Sequence, residues 1–164
     1  MQQSTPELDR TDLRILQALQ QDSSISNLEL AELVGLSPTP CGRRVKRLEE
    51  VGVIRKQVAL LDPKALGLSL TAMISISMDR HTPERFEQFE RAVQNMPEIV
   101  ECSIVTGQAA DYLLKAVLPD MEHYEAFLLG KLTRIDGVTG VHSSFVLRKI
   151  VDQTALPLSH LARL

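Results

Sequence analysis

The spacing of apolar residues changes period partway along the chain, and that change divides it in two. Up to about residue 50 the spacing is helical. Leu13, Leu16 and Leu19 share one face of a segment that Asp9 can cap, with Asp12 in the favourable first turn. Ser26-Asn27-Leu28-Glu29 has the form of a capping box, and Leu30, Ala31, Leu33 and Val34 give the short helix after it an apolar side. Gly35 ends that helix where a left-handed backbone costs least, and Leu36 plugs the junction. Ser37 is placed to cap a third helix from about Pro38 to Glu50. Pro38 takes its first position, where a missing N–H does no harm, and Pro40 also lies in the first turn. Two short helices separated by about three residues, with Ala31 four positions before Gly35, predict a helix-turn-helix whose helices cross closely.

From Ser69 the period becomes two. Leu70, Ala72, Ile74, Ile76 and Met78 alternate with Thr71, Met73, Ser75 and Ser77, which predicts a strand. Thr82-Pro83 opens a helix with Phe86, Phe89 and Val93 as its buried stripe. Strands are predicted at Ile99 to Thr106 and Tyr112 to Leu118, and Asp120 caps a helix carrying Tyr124, Phe127, Leu128 and Leu132. Gly137 and Gly140 lead into a last strand through Phe145, Leu147 and Ile150. The order β-α-β-β-α-β predicts a ferredoxin-like sandwich, making the whole chain α+β. Helices cover one sheet face only, and the alternation is expected to put apolar groups on the other face too. A two-fold homodimer stacking sheet on sheet would bury them and pair two helix-turn-helix units. Between the halves, Arg55 to Leu61 has the composition of a short strand or wing. The expected boundaries are 1–61 for the winged helix-turn-helix, 62–68 for a linker, 69–152 for the ferredoxin-like domain and 153–164 for a tail.

Composition narrows the function. The apolar share of 44% fits an ordered fold, and no apolar run is long enough to span a membrane. The N-terminus lacks the basic-then-apolar form of a secretory signal, so a cytoplasmic protein is expected. Cys41 and Cys102 form no disulfide framework and are expected to be small buried residues. His81, His123, His142 and His160 are dispersed without metal-ligand spacing. There is no glycine-rich phosphate cradle, and no metal or cofactor is expected. The net charge of −3 speaks against nucleic acid only until its distribution is considered. Residues 1–65 hold nine Lys/Arg against nine Asp/Glu, and four of the five positions from Arg43 to Arg47 are cationic.

That basic run lies on the second helix of the turn. Cys41, Val45 and Leu48 fall on one side of it, with Thr39, Arg43, Lys46 and Arg47 facing broadly away. Long donors on an outward face suit base edges and phosphates in a major groove. The expected interface with double-stranded DNA comprises Ser37, Thr39, Arg43, Arg44, Lys46 and Arg47. Arg43 is the leading base reader, Thr39 is a second, and Lys46 and Arg47 are phosphate contacts. Arg44 lies at the edge of the apolar side, where it could pair with an acid such as Glu32 or Glu49. Gly42 either allows a close backbone approach to DNA or marks a later helix start. A second candidate site is the loop Thr106-Gly107-Gln108-Ala109-Ala110-Asp111, whose hydroxyl, backbone N–H groups and carboxylate could hold an amino acid's two charged ends. The same loop also reads as an ordinary hairpin turn with Asp111 satisfying backbone donors.

With these segments in view, the chain resembles the leucine-responsive/asparagine-responsive, or feast/famine, family of bacterial transcriptional regulators. LDRTDLRILQALQQDSSIS resembles the family's first helix, and LSPTPCGRRVKRLEEVGVI its turn and recognition helix. VALLDPKALGL is similar to its wing and connecting strand. VTGQAADYLLKAVLPDMEHYEAF and GVTGVHSSFVLRKI resemble the effector domain. The resemblance implies DNA binding at Thr39, Arg43, Lys46 and Arg47, with an amino-acid effector such as leucine or methionine near Thr106, Gly107, Gln108 and Asp111. It also implies dimers that assemble into octamers. Proteins of this architecture that act as tetrapyrrole decarboxylases supply the rival expectation of an enzyme, and an adaptor that senses ligand without binding DNA is the third.

Overall fold

The protein is described from a computed structural model, covering residues 6–107 and 110–161. It falls into two compact units, one containing residues up to Leu60 together with Val151 onward, the other Leu61–Ile150.

The first unit is built on α1 (Arg10–Gln21), α2 (Asn27–Val34) and α3 (Pro38–Glu50). Both expected capping residues act at α1 and α2. Asp9 accepts from the Asp12 N–H at 2.8 Å while Asp12 accepts from the Asp9 N–H at 3.2 Å. Ser26 and Glu29 exchange the same pair of bonds. Gly35, at φ 72°, turns the chain out of α2. The Leu36 N–H then reaches Ala31 and the Gly35 N–H reaches Glu32, satisfying the last carbonyls in the paired pattern of a glycine-terminated helix. Ile15, Leu30, Ala31, Cys41 and Leu48 form the core, with Val45 half-buried beside it.

The tail joins this unit rather than standing apart. Leu158 packs on its core, and the Gln20 side-chain amide both donates to the Leu156 carbonyl and accepts from the Leu156 N–H. Gly42 starts no helix, since α3 is already formed at Pro38. A Cβ on Gly42 would lie 3.3 Å from Asn27 Oδ1, and Asn27 itself donates to the Pro38 carbonyl at 2.9 Å. Glycine here lets the start of α2 lie close against α3.

The second unit has β1 (Leu70–Met78), α4 (Pro83–Gln94), β2 (Ile99–Ile104), β3 (Tyr112–Leu118), α5 (Met121–Gly130) and β4 (Val138–Phe145). The sheet order is β2-β3-β1-β4 with antiparallel neighbours throughout, as the β-α-β-β-α-β order requires. Ile74, Ile76, Leu114 and Ala116 meet Phe89 of α4 and Phe127 of α5 in a closed core.

Three expectations need correction. β4 stops at Phe145 instead of reaching Ile150, because its partner β1 runs out: Phe145 pairs with Ala72, and β1 begins two residues earlier at Leu70. Leu147, 98% exposed, lies beyond it. Residues 55–61 form no strand, having no neighbouring strand to pair with among the described residues. β2 ends at Ile104, after which the Val105 N–H bonds across to the Asp111 carbonyl. The open sheet face carries apolar groups among polar ones, as expected. Thr71, Met73 and Ser75 of β1 stand there beside Val117, Lys115 and Leu113 of β3, and Ser77 beside Gly140 of β4, so Met73, Leu113 and Val117 supply its apolar share.

Candidate nucleic-acid interface and effector loop

The first turn of α3 is short of donors because of its prolines. Ser37 holds the extended backbone of a capping residue yet makes no capping bond. A capping hydroxyl normally accepts from the second or third residue inside the helix, and the third here is Pro40, which has no N–H. Ser37 and Thr39 are both exposed. Cys41 is fully buried and returns its N–H to the Ser37 carbonyl at 3.2 Å, and burial raises its thiol pKa. Cys102, expected to be buried as well, is exposed on β2.

Past this turn, α3 carries four cations in two parallel rows. Arg43 and Lys46, three residues apart, are exposed, and among the acids of the described residues Lys46 pairs only with Glu50, at 3.8 Å. Arg44 and Arg47 form the next row, and both are paired within the unit, Arg44 half-buried and Arg47 still 46% exposed. Arg44 Nη1 lies 2.6 Å from Asp9 Oδ2 and 2.8 Å from Asp12 Oδ1. Arg47 Nη1 lies 3.0 Å from Asp12 Oδ2, and its Nη2 donates to the Glu7 carbonyl at 2.7 Å. The expected partners of Arg44, Glu32 and Glu49, are thus replaced by two acids of α1. Arg47 does not stand free on the outward row.

Asp12 is the hub, with 1% of its side chain exposed. Sequence reasoning gave it only a first-turn role. The missed signal is its position four residues before Leu16, on the apolar stripe of α1. A carboxylate buried there requires charged partners, and Arg43 to Arg47 is the densest source of them nearby. The Asp12 N–H first, and Arg44 after it, hold the Asp9 carboxyl below its ordinary pKa. Bonds to Asp9 and Asp12 raise that of Arg44 in turn.

The second candidate site is the turn between β2 and β3. Thr106 and Gly107 are exposed, whereas Gln108 lies outside the described residues. Asp111 is tied to the sheet. Its Oδ2 accepts from the Met78 N–H at 2.7 Å, Oδ1 lies 2.7 Å from His81 Nε2, and its own N–H donates to the Ile76 carbonyl at 2.8 Å. The carboxylate therefore shapes the end of β1. With about four lone-pair positions it keeps capacity for a further donor. The next residue, Tyr112, buries its ring and donates its hydroxyl to Glu90 at 2.8 Å. Desolvation, reinforced by that carboxylate, raises the phenol pKa. Among the described residues, no group of three His, Cys, Asp or Glu could hold a metal ion, and no helix is long and apolar enough to cross a membrane.

Comparison with known proteins covers both units. The family model for the Lrp/AsnC ligand binding domain matches residues 71–156, and that for a winged helix-turn-helix DNA-binding domain matches residues 8–55. The first match runs past Ile150 into the tail that packs with the other unit. The leucine-responsive regulatory proteins of Escherichia coli (strain K12) and Salmonella typhimurium are each 45% identical over 150 residues, 92% of this chain and 91% of theirs. The crystal structure of a transcriptional regulator from Neisseria meningitidis in complex with L-Met aligns with a TM-score of 0.90 at 44% identity, covering 94% of this chain and 99% of that one. An AsnC family transcriptional regulator from Agrobacterium tumefaciens aligns at 0.88 with 41% identity and the same coverage.

Proposed function

Because the chain belongs to the Lrp/AsnC family of bacterial transcriptional regulators, we propose a division of labour within its structure: α3 reads the duplex and the β2–β3 turn answers to an amino acid. The protein is a DNA-binding regulator responding to a small effector, not an enzyme. Ser37, Thr39, Arg43 and Lys46 make the direct contacts. Arg43 reads a base edge, Thr39 adds a hydroxyl or methyl contact, and Ser37 and Lys46 meet phosphates. Arg44 and Arg47 border this surface. The observation that carries the reading is the exposed row of Thr39, Arg43 and Lys46 on the helix after a doubly hydrogen-bonded glycine turn.

The effector is an amino acid such as methionine or leucine. Methionine is bound by the Neisseria relative, and leucine gives the enterobacterial relatives their name. It binds beside Thr106, Gly107, Gln108 and Asp111, with Asp111 offering its remaining lone pairs to the ammonium. Self-association to a dimer and onward to an octamer buries apolar side chains that one chain leaves exposed, among them Val58, Leu60, Leu61, Leu147 and Ile150. The setting is cytoplasmic, where DNA and free amino acids are both present.

The test is duplex binding by the full chain with and without L-methionine or L-leucine. Arg43→Ala is expected to lose about 1–3 kcal/mol of specific binding and to relax preference at one base position. Unchanged affinity and sequence preference would remove α3 from the interface.

A further inference from the structure

We infer that Asp12, with Asp9 beside it, is a positioning residue that decides which cations of α3 a duplex meets, and so sets the balance between specific and general DNA binding. The inference rests on the reading of α3 as the DNA-contacting helix.

The two rows of α3 are chemically alike, each a pair of cations three residues apart, and they differ in what faces them. Arg43 and Lys46 face outward. Arg44 and Arg47 face the start of α1, where the buried Asp12 carboxylate divides its oxygens between them, Oδ1 to Arg44 and Oδ2 to Arg47. Asp9 adds a second acid to Arg44, and the Glu7 carbonyl takes the remaining Arg47 bond. Two carboxylates against two guanidiniums leave this inner row nearly neutral.

Stability alone does not call for such a group. Apolar side chains of similar volume would join α1 to α3 at least as well, because ion pairs removed from water recover little beyond their desolvation cost. What charge adds is direction. Each oxygen accepts a guanidinium along a defined line, which fixes the rotation of α3 about its axis and holds two long, flexible cations off its margin. Released from Asp12, these arginines would reach any nearby phosphate. Phosphate contacts strengthen binding to every sequence alike.

The experiment compares the full-length parent with Asp12→Asn and Asp9→Asn. Binding is measured to a duplex selected by the parent from a random pool and to a scrambled duplex of the same composition, across a salt series. Asparagine caps a helix about as well as aspartate, so Asp9→Asn keeps α1 intact and reports even where Asp12→Asn does not fold. The expected result is a steeper dependence of log affinity on log salt, by up to about 0.9 per arginine released. Affinity lost between about 50 and 200 mM salt then grows about threefold per arginine. The preference for the selected duplex falls. A merely structural role would weaken binding without steepening the slope.

An unchanged or shallower slope in folded Asp12→Asn overturns the inference, and so does one in folded Asp9→Asn, where Arg44 has lost one of its two carboxylates. So does a slope shallower by about 1.8 in the Arg44→Gln/Arg47→Gln double variant, since these arginines would then already sit on phosphates in the parent. Failure of the parent itself to bind either duplex would overturn the reading of α3 beneath it, a distinguishable outcome.

Discussion

Asp12 in the first unit is a buried carboxylate and Asp111 in the second a partly buried one, and each bears on a surface assigned to function. They differ in the kind of group they hold. Besides the Asp9 N–H of its own cap, the partners of Asp12 are two guanidiniums on long side chains of α3, so one buried acid controls a surface elsewhere in its unit. The partners of Asp111 are the Met78 N–H and an exposed imidazole, so it acts on a strand end and the turn beside it. An acid that takes side chains selects what a surface presents, whereas one that takes backbone sets where a loop lies.

The strongest way to break this contrast is Asp12→Ala. It leaves two arginines facing a void, and the first unit is expected to lose about 2–3 kcal/mol. That is below the cost of breaking a fully buried pair, because Arg44 and Arg47 keep some access to water. Chemical denaturation followed by a probe in α1 would check it, and a loss near zero would deny Asp12 its role as a hub. Asp111→Ala is expected to cost the second unit less, about 1–2 kcal/mol, for one unsatisfied N–H at Met78. The same variant should weaken L-methionine binding in calorimetry, and unchanged affinity would remove Asp111 from the effector site.

The smallest effects come from pH, and their signs differ between the units. The Asp9 carboxyl titrates below its ordinary value of 3.8. Its contribution is therefore complete above that value and is lost as pH falls through the lowered folded value. His123 in α5 has its pKa raised from 6.5 by its hydrogen bond to Asp120. Its contribution is complete below 6.5 and is lost as pH rises through the raised value. Both groups are exposed enough that water screens much of the effect. Melting of the parent against Asp9→Asn below pH 4, and an NMR titration of the His123 ring, would check the two directions. A His123 midpoint below 6.5 would contradict the second.

Local signals were legible where the controlling groups are close in sequence. The Ser26 to Glu29 box, the Gly35 turn, the proline start of α3 and the alternation of β1 all depend on residues within about five positions of one another. Each appears in the structure as the pattern requires. The extent of β4 was not legible, because a strand ends where its neighbour ends, and the end of β1 is some 70 residues away in the chain. The same limit hid the missing strand at residues 55–61, whose composition suits a strand that has no partner to pair with.

The basic run on α3 shows how far each kind of information reaches. Residue order alone determined that a helix would begin at Pro38, that Cys41 and Leu48 would turn inward, and that four cations would share the remaining surface, since helical periodicity needs nothing but spacing. Tertiary structure decided that only Arg43 and Lys46 face outward free of that network. Their separation from Arg44 and Arg47 comes from Asp9 and Asp12, which the fold of α1 against α3 brings within 2.6 to 3.0 Å. Coulombic attraction acts through space, and spacing along one helix carries no record of the charge waiting on another.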